Sequence, residues 1–272
     1  MAVSSYETHT LNNGVAVYAA TVNSLTPALL VQYHSLLSSD ERRRNARFQR
    51  LADRNRDLLA RALLRCTLAK YLQQSPKDLV FSRGEHGKPM LEGGDQPLTG
   101  AVDGLASPLT LQFNLSHAGD WVVLAVSDAL VGIDIESSQR RNDVMAIADR
   151  YFYGDEITEL RSYPESQQRD RFFDYWTLKE AFMKARGEGI ALGLDNFGFR
   201  LRDCRRIEIF MQPSLADDPK AWRFHCCTPQ PGYHLALAYR SAVRLPISVY
   251  GTCPLVATEA LDWPLNEGPL NE

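Results

Sequence analysis

The chain has 272 residues, 44% of them hydrophobic and 23% charged, with a formal net charge of −3. That is the composition of an ordinary soluble globular protein, long enough for two small domains or one large one, and its mildly acidic balance argues against a surface built for DNA or RNA. Five cysteines without a Cys-x-x-Cys pair exclude zinc-type spacing and argue against a disulfide framework, and no stretch approaches the ~18 apolar residues of a membrane span.

Met1 to Glu7 lacks a basic stretch followed by an apolar run, so no secretory signal is expected and the default location is cytoplasmic. Val15 to Val22 reads as a strand after the turn signal Asn12-Asn13-Gly14. Residues 40–73 read as one helix, with Leu58, Leu59, Ala62, Leu63, Leu68 and Leu72 forming the apolar stripe and Ser75-Pro76 stopping it. Arginines 42, 43, 44, 47, 50, 54, 56, 61 and 65 fall in this stretch, offset only by Glu41, Asp53 and Asp57. A solvated helix face explains such a run; so does a site for a dense anion, because guanidinium binds phosphate bidentately.

Residues 81–109 are rich in Gly, Pro and Asp and read as a loop with short strands. Phe113 to Asp120 reads as turn-like, with Ser116 beside His117 and no Gly-x-Ser-x-Gly elbow. A hydroxyl, an imidazole and nearby backbone N–H groups suit phosphate. Strands are expected over 121–126 and 131–136, joined as a hairpin by Asp128-Ala129-Leu130. Helices follow over about 142–152, 154–162 and 167–186, the last ended by Gly187 and Gly189. Segments 198–201, 207–211, 222–227 and 233–239 read as antiparallel strands, and 252–272 as a tail, possibly mobile. The pattern is α+β.

Two strings carry the chemistry. In Gly132-Ile133-Asp134-Ile135-Glu136 the acids stand at i and i+2, on one face of a strand, where burial would demand pairing or a cation. In Trp176-Thr177-Leu178-Lys179-Glu180-Ala181-Phe182-Met183-Lys184, residues 176, 180 and 184 share one helix stripe. Together they would offer three carboxylates to a hard divalent cation, with an ammonium beside it. Taken singly, Asp-x-Glu is also an ordinary strand end, and Glu180–Lys184 an ordinary helix-surface pair worth ~0.2–0.5 kcal/mol.

Five pieces in order, Gly87-Lys88-Pro89, Phe113-Asn114-Leu115-Ser116-His117, Gly132 to Glu136, Arg150-Tyr151-Phe152-x-x-x-Glu156 and Trp176-x-x-Lys179-Glu180-Ala181-x-x-Lys184, resemble the Sfp-type 4′-phosphopantetheinyl transferases from about Arg44 to Gly189. The resemblance implies a pseudo-duplicated α+β fold of two similar halves, each with a long helix on a small antiparallel sheet, and a site in the cleft between them. The expected division is 1–130 for coenzyme A nucleotide contacts, 131–251 for metal ligands and the catalytic helix, and 252–272 as tail.

The implied reaction moves the phosphopantetheine arm of coenzyme A to a serine of an apo acyl or peptidyl carrier protein and releases 3′,5′-ADP. The implied cofactor is Mg²⁺, or Mn²⁺ in its place, with coenzyme A as co-substrate. Asp134, Glu136 and Glu180 resemble the metal ligands, and Lys184 the lysine on the pyrophosphate. Lys88, Ser116 and His117 resemble coenzyme A contacts, and Arg44 and Arg83 cations near the 3′-phosphate. Glu180 and Glu156 compete as the base. Glu41 stands near a spot where some relatives carry a cation. The family's larger members work as monomers, and no nucleic-acid or membrane partner is expected. A metal-dependent phosphodiesterase or nuclease, and a non-catalytic carrier-binding module, are the rival readings.

Overall fold

A computed structural model describes residues 13–84, 88–92, 111–139, 142–203 and 206–265. In chain order the elements are β1 (Val15–Thr21), α1 (Pro27–Leu36), α2 (Ser39–Asn45), α3 (Leu51–Leu72), β2 (Phe81–Arg83), β3 (Pro89–Leu91), β4 (Gln112–Ala118) and β5 (Trp121–Ser127). They continue with β6 (Val131–Ser137), α4 (Val144–Tyr151), α5 (Gly154–Ser162), α6 (Glu165–Arg186), β7 (Phe197–Asp203), β8 (Arg206–Met211), β9 (Trp222–Cys227), β10 (Tyr233–Arg240), β11 (Ile247–Cys253) and β12 (Ala257–Ala260).

Two compact units result. Residues 1–128 join 248–261 in the first, and residues 129–247 join 262–272 in the second. The first builds a five-stranded sheet in the order β12-β11-β1-β5-β4, with α3 packed on it through Leu59, Leu63 and Leu68. The second builds a three-stranded sheet in the order β6-β10-β9, against which α6 lies with Phe172, Phe182 and Ala181 buried. Each unit thus sets one 22-residue helix against an antiparallel sheet, the α+β pattern of two similar halves.

The expected single helix over 40–73 is two. The buried Asn45 side chain ends α2 by donating to the Arg54 carbonyl (2.8 Å) and to Asp57 Oδ2 (2.9 Å), so the chain turns before α3 begins. Helix α1 was not expected; Thr26 caps it by accepting from the Leu29 amide, and Pro27 opens it. The expected hairpin of 121–126 with 131–136 does not form. Strand β5 pairs with β1 and β4, whereas β6 pairs with β10, because Asp128-Ala129-Leu130 passes from one unit to the next.

Residues 113–118, expected as a turn, are strand β4, with Ser116 opposite Val123 and His117 opposite Val122; only Gly119 and Asp120 turn. The start of the expected tail is strand: Thr252 and Cys253 end β11, which lies beside β1 and pairs with β12, Thr252 opposite Thr258. Both belong to the first unit, a nonlocal pairing that local periodicity does not encode. Residues 93–110 and 266–272 lie outside the described residues.

Candidate active site

The site in the second unit starts from a missing side chain. Gly132 faces α6, and a Cβ there would overlap the Ala181 carbonyl and the Ala185 amide. The neighbouring positions on β10 are small too: Ala238 opposes Gly132 and Ala236 opposes Asp134. This floor of Gly and Ala lets α6 seat closely on the sheet. Strand alternation sends Ile133 and Ile135, both 0% exposed, to the other face, leaving Asp134 and Glu136 on the helix side. Glu180 and Lys184, one turn apart on α6, project toward them. Trp176 stacks on Phe172 of its own helix and on Phe152 just after α4, which ties this side of α6 to the end of α4.

Electrostatics tie the four charged groups together. Lys184 Nζ donates to Asp134 Oδ1 at 2.6 Å, and Asp134 is almost wholly buried. Burial pushes the Glu180 carboxyl up to about 7; Asp134 and, less strongly, Glu136 add to the rise, and Lys184 opposes it. Three carboxylates and one ammonium leave this cluster short of positive charge. Among the described residues, no three His, Cys, Asp or Glu side chains stand already arranged around a metal position. The donor set nonetheless has the hard, all-oxygen character of a Mg²⁺ site, and the charge deficit felt by Glu180 is the kind a divalent cation removes.

Glu156 has a different setting. It is 0% exposed. Its Oε2 accepts from the Tyr153 amide (2.9 Å) and lies 2.9 Å from Lys179 Nζ, while its Oε1 accepts from the Phe199 amide (2.8 Å). Lys179 Nζ also donates to the carbonyls of Leu194 (2.8 Å) and Phe197 (2.7 Å). Burial raises the Glu156 carboxyl and lowers the Lys179 ammonium, each opposed by the other's charge. Adjacent helix positions point about 100° apart, so Lys179 faces α5 and β7 while Glu180 faces β6. Glu156 is therefore built as a tie between α5, α6 and β7.

Sequence reasoning missed His234. It lies opposite Glu136 on β10, is 4% exposed, and its Nδ1 bonds Asp174 Oδ1 at 2.8 Å. The alternation of β10 carried the signal, but only the register against β6 gives it meaning.

The other expected contacts belong to the first unit. Ser116 is buried on β4 and His117 exposed, on opposite faces of the strand. Lys88 precedes β3, its carbonyl accepting from the Gly84 amide (2.9 Å), and burial pushes its ammonium down. Arg83 ends β2, its side chain lying outside the described residues, as does Gly87. Arg44 is exposed on α2 and lines a cleft of about 850 Å³ together with Arg47, Arg61 and Lys77.

A family model described as the 4′-phosphopantetheinyl transferase superfamily matches residues 130–238, and a second, described as 4′-phosphopantetheinyl transferase, N-terminal, matches residues 26–129. The chain is 37% identical to the 4′-phosphopantetheinyl transferase psf-1 of Bacillus pumilus over 63% of its own length and 67% of that protein's. It is 31% identical to the 4′-phosphopantetheinyl transferase Sfp of Bacillus subtilis over 76% of its length and 83% of the relative's. Against HetI of a Nostoc species it is 40% identical, over 57% and 61%. Among solved structures it resembles the holo-[acyl-carrier-protein] synthase of Thermotoga maritima with a TM-score of 0.35 and 19% identity, covering 42% of this chain and 64% of that one.

Proposed function

The chain belongs to the 4′-phosphopantetheinyl transferase superfamily, and from that premise we propose that it transfers the 4′-phosphopantetheine arm of coenzyme A to a serine hydroxyl of an apo acyl or peptidyl carrier protein. The serine oxygen attacks the β-phosphorus of the coenzyme A pyrophosphate. A new P–O bond forms, the bond to the bridging oxygen breaks, and 3′,5′-ADP leaves with that oxygen. The observation that carries the reading is the cluster on β6 and α6, where Lys184 bonds Asp134 and the charges of Asp134 and Glu136 bear on Glu180.

Asp134, Glu136 and Glu180 would hold Mg²⁺, which when bound offsets charge on the pyrophosphate. The remaining work falls to the chain. Glu180 takes the serine proton; once its neighbours' charge is offset it is ionised and able to accept one. Glu156 is the weaker candidate, since both its oxygens are engaged in a fully buried tie. Lys184 supplies the cation for a pyrophosphate oxygen. Arg44, Arg83, Lys88, Ser116 and His117 in the first unit are assigned to the nucleotide half of coenzyme A, the arginines to its 3′-phosphate. The active form is proposed to be a monomer in the cytoplasm. Among the described residues no helix is long and apolar enough to cross a membrane.

Product analysis tests the proposal. With coenzyme A and Mg²⁺, 3′,5′-ADP should appear only when an apo carrier is also present, and chelation should stop it. Release of 3′,5′-ADP without any carrier would instead indicate a phosphodiesterase.

A further inference from the structure

One arginine of the basic stretch turns inward. Arg65 is 2% exposed in the middle of α3. Its Nε donates to Glu41 Oε2 at 2.9 Å, and its Nη2 stands 2.7 Å from the same oxygen. Its Nη1 donates to the carbonyls of Pro76 (2.8 Å) and Leu79 (2.9 Å), and the guanidinium lies over the Phe81 ring at 5.2 Å. The same Glu41 Oε2 accepts from the Ser38 amide (2.8 Å), and the Glu41 amide donates to Ser38 Oγ, which completes the N-terminal cap of α2. One buried ion pair thus joins α3, the start of α2, the 76–79 segment and β2.

Those four pieces are the walls of the 850 Å³ cleft. Arg44 and Arg47 stand on or just after α2, Arg61 on α3, 3.8 Å from Asp57, and Lys77 on the 76–79 segment; with Asp40 and Glu41 the only carboxylates among the described lining residues, the walls carry an excess of positive charge. The Arg65–Glu41 pair carries no net charge of its own. Its directional bonds hold the cationic walls at a fixed separation before any ligand arrives, which reduces the ordering cost of binding.

We propose that Glu41 and Arg65, at the base of this cleft, are positioning residues that preorganise it for a polyanionic nucleotide ligand. This rests on the coenzyme A reading above.

Calorimetric binding of 3′,5′-ADP and steady-state kinetics with coenzyme A test the idea on Arg65→Met, Arg65→Lys, Glu41→Gln and the Glu41→Gln/Arg65→Met double variant. Misplaced walls should raise the Kd for 3′,5′-ADP and the KM for coenzyme A together, by about ten- to a hundredfold in Arg65→Met and less in Arg65→Lys. The KM for the apo carrier should stay put, and the double variant should be no worse than Arg65→Met, because the two residues act as one unit. If Arg65→Met does not fold, Arg65→Lys and Glu41→Gln decide the matter. Folded variants that bind 3′,5′-ADP like the wild type, effects that add, or an equal rise in the carrier KM would each overturn the proposal. A wild-type protein that binds neither 3′,5′-ADP nor coenzyme A would overturn the coenzyme A reading first, and this inference with it.

Discussion

Two glutamates on neighbouring helices sit in opposite settings. Glu180 is buried among like charges and held near 7, so Glu180→Gln should cut turnover by roughly 10²- to 10⁴-fold, the range for removing a general base. The same change relieves repulsion from Asp134 and Glu136, so thermal unfolding should occur at an equal or higher temperature. A lowered midpoint would mean that Glu180 is a structural anchor. Glu156 should behave in the opposite way. Glu156→Gln leaves the Lys179 ammonium enclosed without its counter-charge, at a cost of about 3 kcal/mol in denaturant unfolding. Enzyme that remains folded should keep the wild-type pH profile. A changed profile at unchanged stability would return Glu156 to the list of bases.

At the level of elements, Gly132 decides how close β6 and α6 come. Gly132→Ala forces a methyl group into the backbone of α6 at Ala181 and Ala185, and should destabilise the fold by about 3 kcal/mol, the upper end for overpacking a tight contact; urea titration measures it. A loss below about 0.5 kcal/mol, the usual scatter of neutral sites, would show that the helix is free to shift. Both strings at this contact were legible because each is local: alternation declares the Asp134/Glu136 face, and a four-residue spacing declares the Glu180/Lys184 stripe. The closeness itself was not legible, since it depends on Ala236 and Ala238 of a strand about a hundred residues away. For the same reason β4 passed for a turn and β12 for tail. Their strand identity comes from pairing with β5 and β11, and short segments such as Ala257–Ala260 have no periodicity of their own. The break after Asn45 escaped because one buried amide, bonded to Arg54 and Asp57, overrides good helix formers on both sides.

For the molecule as a whole, stability toward acid should depend on His225. Burial, then Arg244, pushes this imidazole down to about 4 against a hydrogen bond to the Leu265 backbone, while Tyr239 stacks on its ring and Arg223 lies two residues before it on β9. An unfolded histidine takes up its proton near 6.5, so the unfolded chain binds more protons than the native one between about pH 6.5 and 4. Stability contributed by neutral His225 is therefore present above that window and lost as pH falls through it. His225→Gln should reduce the fall in unfolding free energy from urea titration between pH 7 and 4.5 by on the order of 2 kcal/mol; an unchanged fall would mean that the ring titrates normally. The central claim is that this scaffold carries out phosphopantetheinyl transfer, and an intact-mass spectrum of an apo carrier protein tests it most directly. After incubation with the protein, coenzyme A and Mg²⁺, the carrier should gain the mass of one phosphopantetheine arm, and its serine-to-alanine variant should gain none. An unchanged mass on acyl, polyketide and peptidyl carriers alike would contradict the account.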